Sequence, residues 1–180
     1  MDADVAYYIP GWLRTGGGND DTRASFVATF PDARHVFWDA WPGNGMWMTA
    51  LRNAELSWTR LALEIISMTD DERANVVLVG HSLGARIVIR TLAFLARYGK
   101  KVKSAALLGA AIPNDDPDLI AIGRGSVLPI LAVCNPLDVT LKYMYSIAGG
   151  EGGVAFGTDG AARTGKCQGD FGPWVGCLRN

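Results

Sequence analysis

Val76-Val77-Leu78-Val79-Gly80-His81-Ser82-Leu83-Gly84-Ala85-Arg86 is the stretch that decides the fold. Four apolar, mostly β-branched residues run into Gly-x-Ser-x-Gly, and an apolar segment of helical length follows. The pentapeptide by itself is common. Between a strand and a helix it becomes informative, because it then describes a sharp reversal with the serine at its tip. Gly80 and Gly84 carry no Cβ, so strand and helix can approach closely around the turn. The reversal lifts the Ser82 hydroxyl above the sheet edge and aims the N–H groups of the helix start at a developing oxyanion. A tight, phosphate-cradling turn is the bland alternative, but the Lys-Ser/Thr of a P-loop and the glycine spacing of a dinucleotide site are both missing.

Outward from this turn, short apolar runs at Val5–Ile9, His35–Trp38, Ala105–Leu108 and Ile130–Cys134 read as further strands. Several are continuous rather than alternating, as strands covered on both faces are. Between them the pattern predicts helices over Asp21–Phe30, Met46–Met68, Ala85–Tyr98 and Val139–Ile147. Trp47, Leu51, Ala54, Trp58, Leu61 and Ile65 recur at steps of three and four and give the second helix one buried face. Asn44 or Gly45 is its expected start, and Gly99 the expected stop of the third. Strand–helix alternation predicts a three-layer α/β/α sandwich with a mostly parallel sheet. Such sheets bind ligands beyond the carboxyl ends of their strands. The loops that matter are therefore Pro10–Asn19, Asp39–Gly45, Gly80–Gly84, Gly109–Asp118 and Asn135–Asp138. From Gly149 onward 10 of 32 residues are glycine, and this part of the single domain reads as a loop-rich edge.

A chain of 180 residues suits one domain, and 49% apolar with 19% charged residues suits a packed one. Net charge is −1 with no basic stripe, so nucleic acid is a poor partner. No apolar stretch approaches the roughly 20 residues that span a bilayer, and the acidic Met1-Asp2-Ala3-Asp4 does not open a secretory signal. A cytoplasmic location is the expectation, with export open if a signal has been removed. Cys134 reads as a buried free thiol, while Cys167 and Cys177 could pair; compartment logic favours reduced thiols. Gly16-Gly17-Gly18 is the only other phosphate-cradle candidate, and it too lacks lysine and the required spacing.

Gly80-His81-Ser82-Leu83-Gly84-Ala85-Arg86 resembles the nucleophile elbow of the α/β-hydrolase superfamily, in particular its lipase and esterase branches. The likeness extends to Tyr8-Ile9-Pro10-Gly11-Trp12, which is similar to the strand-end segment contributing to the oxyanion hole, with Pro10 where histidine is common. Phe37-Trp38-Asp39-Ala40-Trp41-Pro42, Leu107-Leu108-Gly109-Ala110-Ala111 and Val133-Cys134-Asn135-Pro136-Leu137-Asp138 are similar to other strand ends of poorly characterised bacterial hydrolases. The resemblance implies a serine hydrolase cleaving a carboxylic ester or related acyl bond through Ser82, on a small-molecule or lipid-like acyl substrate. No metal or organic cofactor is required. The oxyanion donors would be the backbone N–H groups of Leu83 and Trp12. Trp12, Trp41, Met46 and Trp47 are either an apolar acyl pocket or ordinary core, and Arg86 reads as a structural hydrogen-bond donor.

In this fold the acid and then the histidine follow the serine. Asp138, 56 residues beyond Ser82 and just past an apolar strand, is the acid of choice, against a reading as helix cap. Asp115 and Asp116 are reserves that fit turn and helix-start roles better. The histidine is the difficulty. Only His35 and His81 exist, and none of the 42 residues after Asp138 is histidine. His35 belongs at the wrong end of its strand, and His81, beside the nucleophile, reads as a packed residue pointing away from the hydroxyl. Two explanations compete: a C-terminal strand and helix carrying the histidine lie beyond Asn180, or the fold has lost its chemistry and serves as a binding module. The abrupt end of the sequence favours the first.

Overall fold

The structure, a computed structural model, describes residues 4–12, 18–113, 115–125, 129–134 and 175–179. Within them the chain runs β1 (Val5–Ile9), α1 (Gly18–Thr29), β2 (Arg34–Phe37), α2 (Trp47–Ile66), α3 (Asp70–Ala74), β3 (Val76–His81), α4 (Leu83–Arg97), β4 (Ser104–Leu108), α5 (Pro117–Gly125), β5 (Ile130–Cys134) and β6 (Val175–Arg179). Six strands form one sheet in the order β2-β1-β3-β4-β5-β6. Every pairing is parallel.

The apolar runs of β1 and β3 split by pleat. Tyr7, Ile9, Val76 and Leu78 join α2 and α4 in the larger core, which also takes in Leu119 and Ile122 of α5. Ala6, Tyr8, Val77 and Val79 meet Phe26 and Phe30, from α1 and the turn after it, on the opposite face. Alternate residues of a strand point to opposite faces, so continuous hydrophobicity is what a sheet covered on both sides requires. The layers are α1, the sheet, and the α2–α4–α5 group. This is the three-layer α/β/α sandwich with a parallel sheet that the pattern predicts.

Helix ends follow local chemistry. Thr69 and Glu72 form a reciprocal capping box at the start of α3, which satisfies two otherwise orphan donors. α4 stops at Tyr98 with Gly99 in a left-handed conformation, and Lys100 N–H reaches back to Leu95 O at 2.9 Å, the bond of a Schellman motif. α2 begins at Trp47, after Met46, whose side chain makes no cap, and not from Asn44 or Gly45.

Three elements are additions to the sequence reading. α3 and α5 occupy stretches read as connections, and β6 lies inside the segment read as a loop-rich edge. The expected helix Val139–Ile147 lies outside the described residues, as do Cys167 and the Gly16-Gly17 part of the glycine run. No helix among the described residues is long and apolar enough to cross a membrane.

Candidate active site

Parallel register places four strand ends at one edge. Ile9 pairs with Gly80, His81 with Leu108, and Leu108 with Val133. The segments starting at Pro10, Ser82 and Gly109 therefore leave the sheet from the same side, at which β5 also ends. Of the five loops singled out from the sequence, Asn135–Asp138 lies outside the described residues, and the described parts of the other four gather at this edge.

Ser82 joins β3 to α4 with φ 52° and ψ −119°. It is the only non-glycine residue with positive φ among the described residues. Its ψ lies outside the left-handed helical basin, in territory that costs a side-chain-bearing residue about 1–3 kcal/mol and persists only where surroundings over-determine it. Those surroundings are identifiable. Ser82 N–H donates to Leu108 O at 2.9 Å, and Ser82 O accepts from Ala85 N and Ala111 N, each at 3.1 Å. Serine at this position of a helix normally turns its hydroxyl back onto the first turn. Here it makes no such cap.

The neighbouring glycines are demanded by packing. A Cβ on Gly84 would overlap Ile9 O and come within 2.6 Å of Pro10 O, and one on Gly80 would stand 2.6 Å from Ala85 Cα. The elbow is thus folded directly against the carboxyl end of β1. A Cβ on Gly11 would stand 2.7 Å from Ser82 Cβ and 3.1 Å from His81 Nδ1. Gly11-Trp12 consequently passes directly against Ser82. Leu83, the first residue of α4, has an N–H that no carbonyl within the helix can accept.

Trp12 is held in place by its ring. Its Nε1 donates to Gly45 O at 2.8 Å, and it packs edge-on against Trp47 with centroids 5.4 Å apart. Trp41 is fully buried, with Nε1 donating to Pro10 O at 3.1 Å, so it braces the β1 loop from the core. Met46 is largely exposed, whereas Trp47 is buried. The four residues weighed as a pocket therefore divide: Trp41 and Trp47 are core, Trp12 is half-buried at the edge, and Met46 faces solvent.

The histidines and acids also separate. His35 starts near the amino end of β2, paired with Ala6, and its Nε2 lies 2.7 Å from Phe30 O. Ala6 pairs with Val77, five residues before Ser82, so strand rise alone puts His35 about 16 Å from the edge at which Ser82 lies. His81 is exposed, not packed as expected, because it ends β3 where the sheet surface opens. Asp116 is 2% exposed. Its Oδ1 accepts from the N–H groups of Asp118 and Leu119 at 3.0 and 3.1 Å, and both its oxygens bind Arg90 at 2.8 Å. It is the N-cap of α5, with Pro117 in the first helical position. Asp115 is exposed. Asp138 lies outside the described residues, four positions along the chain from the end of β5.

No protein-family model and no curated protein matches the chain. Solved structures do. A type II thioesterase, YbtT, from a yersiniabactin NRPS/PKS biosynthetic pathway is 17% identical with a TM-score of 0.55, over 99% of this chain and 84% of its own. RedJ, a thioesterase from the prodiginine pathway of Streptomyces coelicolor, is 13% identical with a TM-score of 0.53, over 99% of this chain and 76% of its own. The chain has the α/β-hydrolase fold.

Proposed function

We propose that the chain is a serine hydrolase that cleaves a carboxylic ester, a thioester or a related acyl bond through an acyl-enzyme on Ser82. The observation that carries this reading is the strained, uncapped serine between β3 and α4. Backbone strain of this kind has a use when it projects a nucleophile. Ser82 Oγ attacks the acyl carbon while its proton passes to a base. The N–H groups of Leu83 and Trp12 hold the resulting oxyanion, each worth about 3 kcal/mol in the transition state. The alcohol or thiol leaves with the proton. Water, deprotonated by the same base, then attacks the acyl carbon, releases the acid and restores Ser82. Asp138, in the segment that follows β5, orients the base.

Two histidines exist in the sequence, and of these His81 is the one beside the nucleophile. The two neighbours named as thioesterases place thioesters beside oxygen esters among the substrates to try. Hydrolysis of a short p-nitrophenyl ester and of a short acyl thioester tests the reading in wild type, Ser82→Ala, Asp138→Asn and His81→Asn. Turnover should vanish in Ser82→Ala and fall about 100-fold or more in Asp138→Asn. Loss in His81→Asn assigns it the base role; retention removes it.

The competing reading is a binding module on the same fold: His35 and His81, the two histidines of the sequence, both precede Asp138. It predicts no turnover in any of the four proteins.

A further inference from the structure

The peptide that joins Ser82 to Leu83 carries both the Ser82 carbonyl and the Leu83 N–H, and in a trans peptide these point in opposite directions. Whatever fixes the carbonyl therefore also fixes the direction of the proposed oxyanion donor. Ala111 N–H is one of the two donors on that carbonyl, at 3.1 Å. Ala111 is itself held on its other side: Arg86 Nε donates to Ala111 O at 3.1 Å. The same guanidinium donates through Nη1 to Glu55 Oε1 at 2.6 Å. Arg86 is 1% exposed and sits one turn into α4 from Ser82. Glu55, on α2, is held from its other side by Arg90 Nε at 3.2 Å. A connected path thus runs from α2 through Glu55, Arg86 and Ala111 to the nucleophile's own peptide.

We propose that Arg86 is a positioning residue for Ser82, acting through Ala111 and itself oriented by Glu55. The inference rests on the serine-hydrolase reading and adds to it the group that keeps the elbow in its strained form. A planar guanidinium can hold two acceptors at fixed angles, which the point charge of a lysine does not reproduce. Loosening Ala111 frees the Ser82 carbonyl to rotate. The serine then relaxes and the Leu83 N–H turns off the oxyanion. Neither Arg86 nor Glu55 need touch the substrate.

The test uses the full chain, a fluorophosphonate probe, and the variants Arg86→Lys and Glu55→Gln. Two quantities are read: kinact and KI for Ser82, and amide hydrogen exchange at Ala111 and Leu83 against Tyr7 and Leu78 in the central strands. Arg86→Lys should lower kinact roughly tenfold or more with KI unchanged, as small displacements of a reacting group do. It should also speed Ala111 exchange while Tyr7 and Leu78 keep their wild-type rates. Glu55→Gln, which retains an acceptor, should give a smaller change in the same direction and serves alone if Arg86→Lys does not fold. A smaller labelled fraction reacting at the wild-type kinact means a purely structural role and overturns the proposal. If wild type itself is not labelled, Ser82 is not activated in this chain, and exchange then decides the brace. Unchanged Ala111 exchange in the variants overturns it.

Discussion

At the scale of single residues, backbone strain among the described residues is concentrated at Ser82. Residues that occupy such conformations gain from becoming glycine when their side chain is not needed for stability. Ser82→Gly should therefore stabilise the protein by about 1 kcal/mol, the relieved strain exceeding the added entropy of the unfolded chain. Ser82→Ala keeps a Cβ and should change stability by less than about 0.5 kcal/mol. Urea unfolding of the three proteins checks this; equal midpoints for Ser82→Gly and wild type would show that the turn is unstrained. Much of this residue-level picture was legible in advance. Gly-x-Ser-x-Gly after four β-prone residues announces the reversal, and the loops to inspect follow from strand order alone. The state of His81 was not legible, because whether a strand-end side chain is covered depends on loops whose paths no local pattern specifies.

At the scale of elements, α5 shows how a helix can hide in sequence. Asp115-Asp116-Pro117 reads as a turn, yet Asp116 caps the helix and Pro117 takes the first position, where its missing N–H does no harm. Leu119 and Ile122, three apart and buried, were the available signal. α3 was also encoded, in the Thr69-x-x-Glu72 spacing of a capping box, but five residues give no periodicity to detect. β6 is different in kind: Val175–Arg179 contains glycine and a single β-branched residue, and its pairing with β5 is a long-range contact that no local propensity supplies. Asp116 has a second role. Burial works against the charge of Arg90, but hydrogen bonds to Asp116 and Glu55 outweigh it and make the guanidinium more basic than usual. Asp116→Ala removes a cap and strips a partly buried arginine of its main partner, so it should cost about 3 kcal/mol. Asp115→Ala, at an exposed site, should cost less than about 0.5 kcal/mol. Denaturant midpoints measure both, and similar losses at the two positions would contradict this division of roles.

At the scale of the whole molecule, one parallel sheet, with β1 and β3 buried on both faces, gathers its strand ends into a single edge. β3, the strand that leads into Ser82, lies inside it, between β1 and β4. The same burial makes stability depend on alkaline pH. Tyr7, on β1, has its phenol pushed well above the usual tyrosine range, first by burial and then by the hydrogen bond it donates to Glu64 at 2.7 Å. Because the folded state raises this pKa, its contribution is full below about pH 10, where an unfolded tyrosine begins to ionise, and declines as pH rises beyond that. Stability measured from pH 8 to 11.5 should fall at the alkaline end, and Tyr7→Phe should flatten that fall. An identical slope in Tyr7→Phe would place the alkaline sensitivity elsewhere. Fold class was readable at this scale because alternating strands and helices with continuous apolar strands admit few architectures. Chemistry was less so, since the base depends on which loops meet over Ser82.

The most direct test of the central claim, that this elbow presents a reactive serine, is covalent labelling. Incubation of the chain with a fluorophosphonate, followed by intact-mass measurement and peptide mapping, asks whether Ser82 Oγ displaces fluoride to form a phosphonate ester. One adduct per chain, mapped to Ser82 and absent in Ser82→Ala, is the predicted result. No adduct, or one that persists in Ser82→Ala, would contradict the claim that the elbow of this 180-residue chain presents a reactive serine.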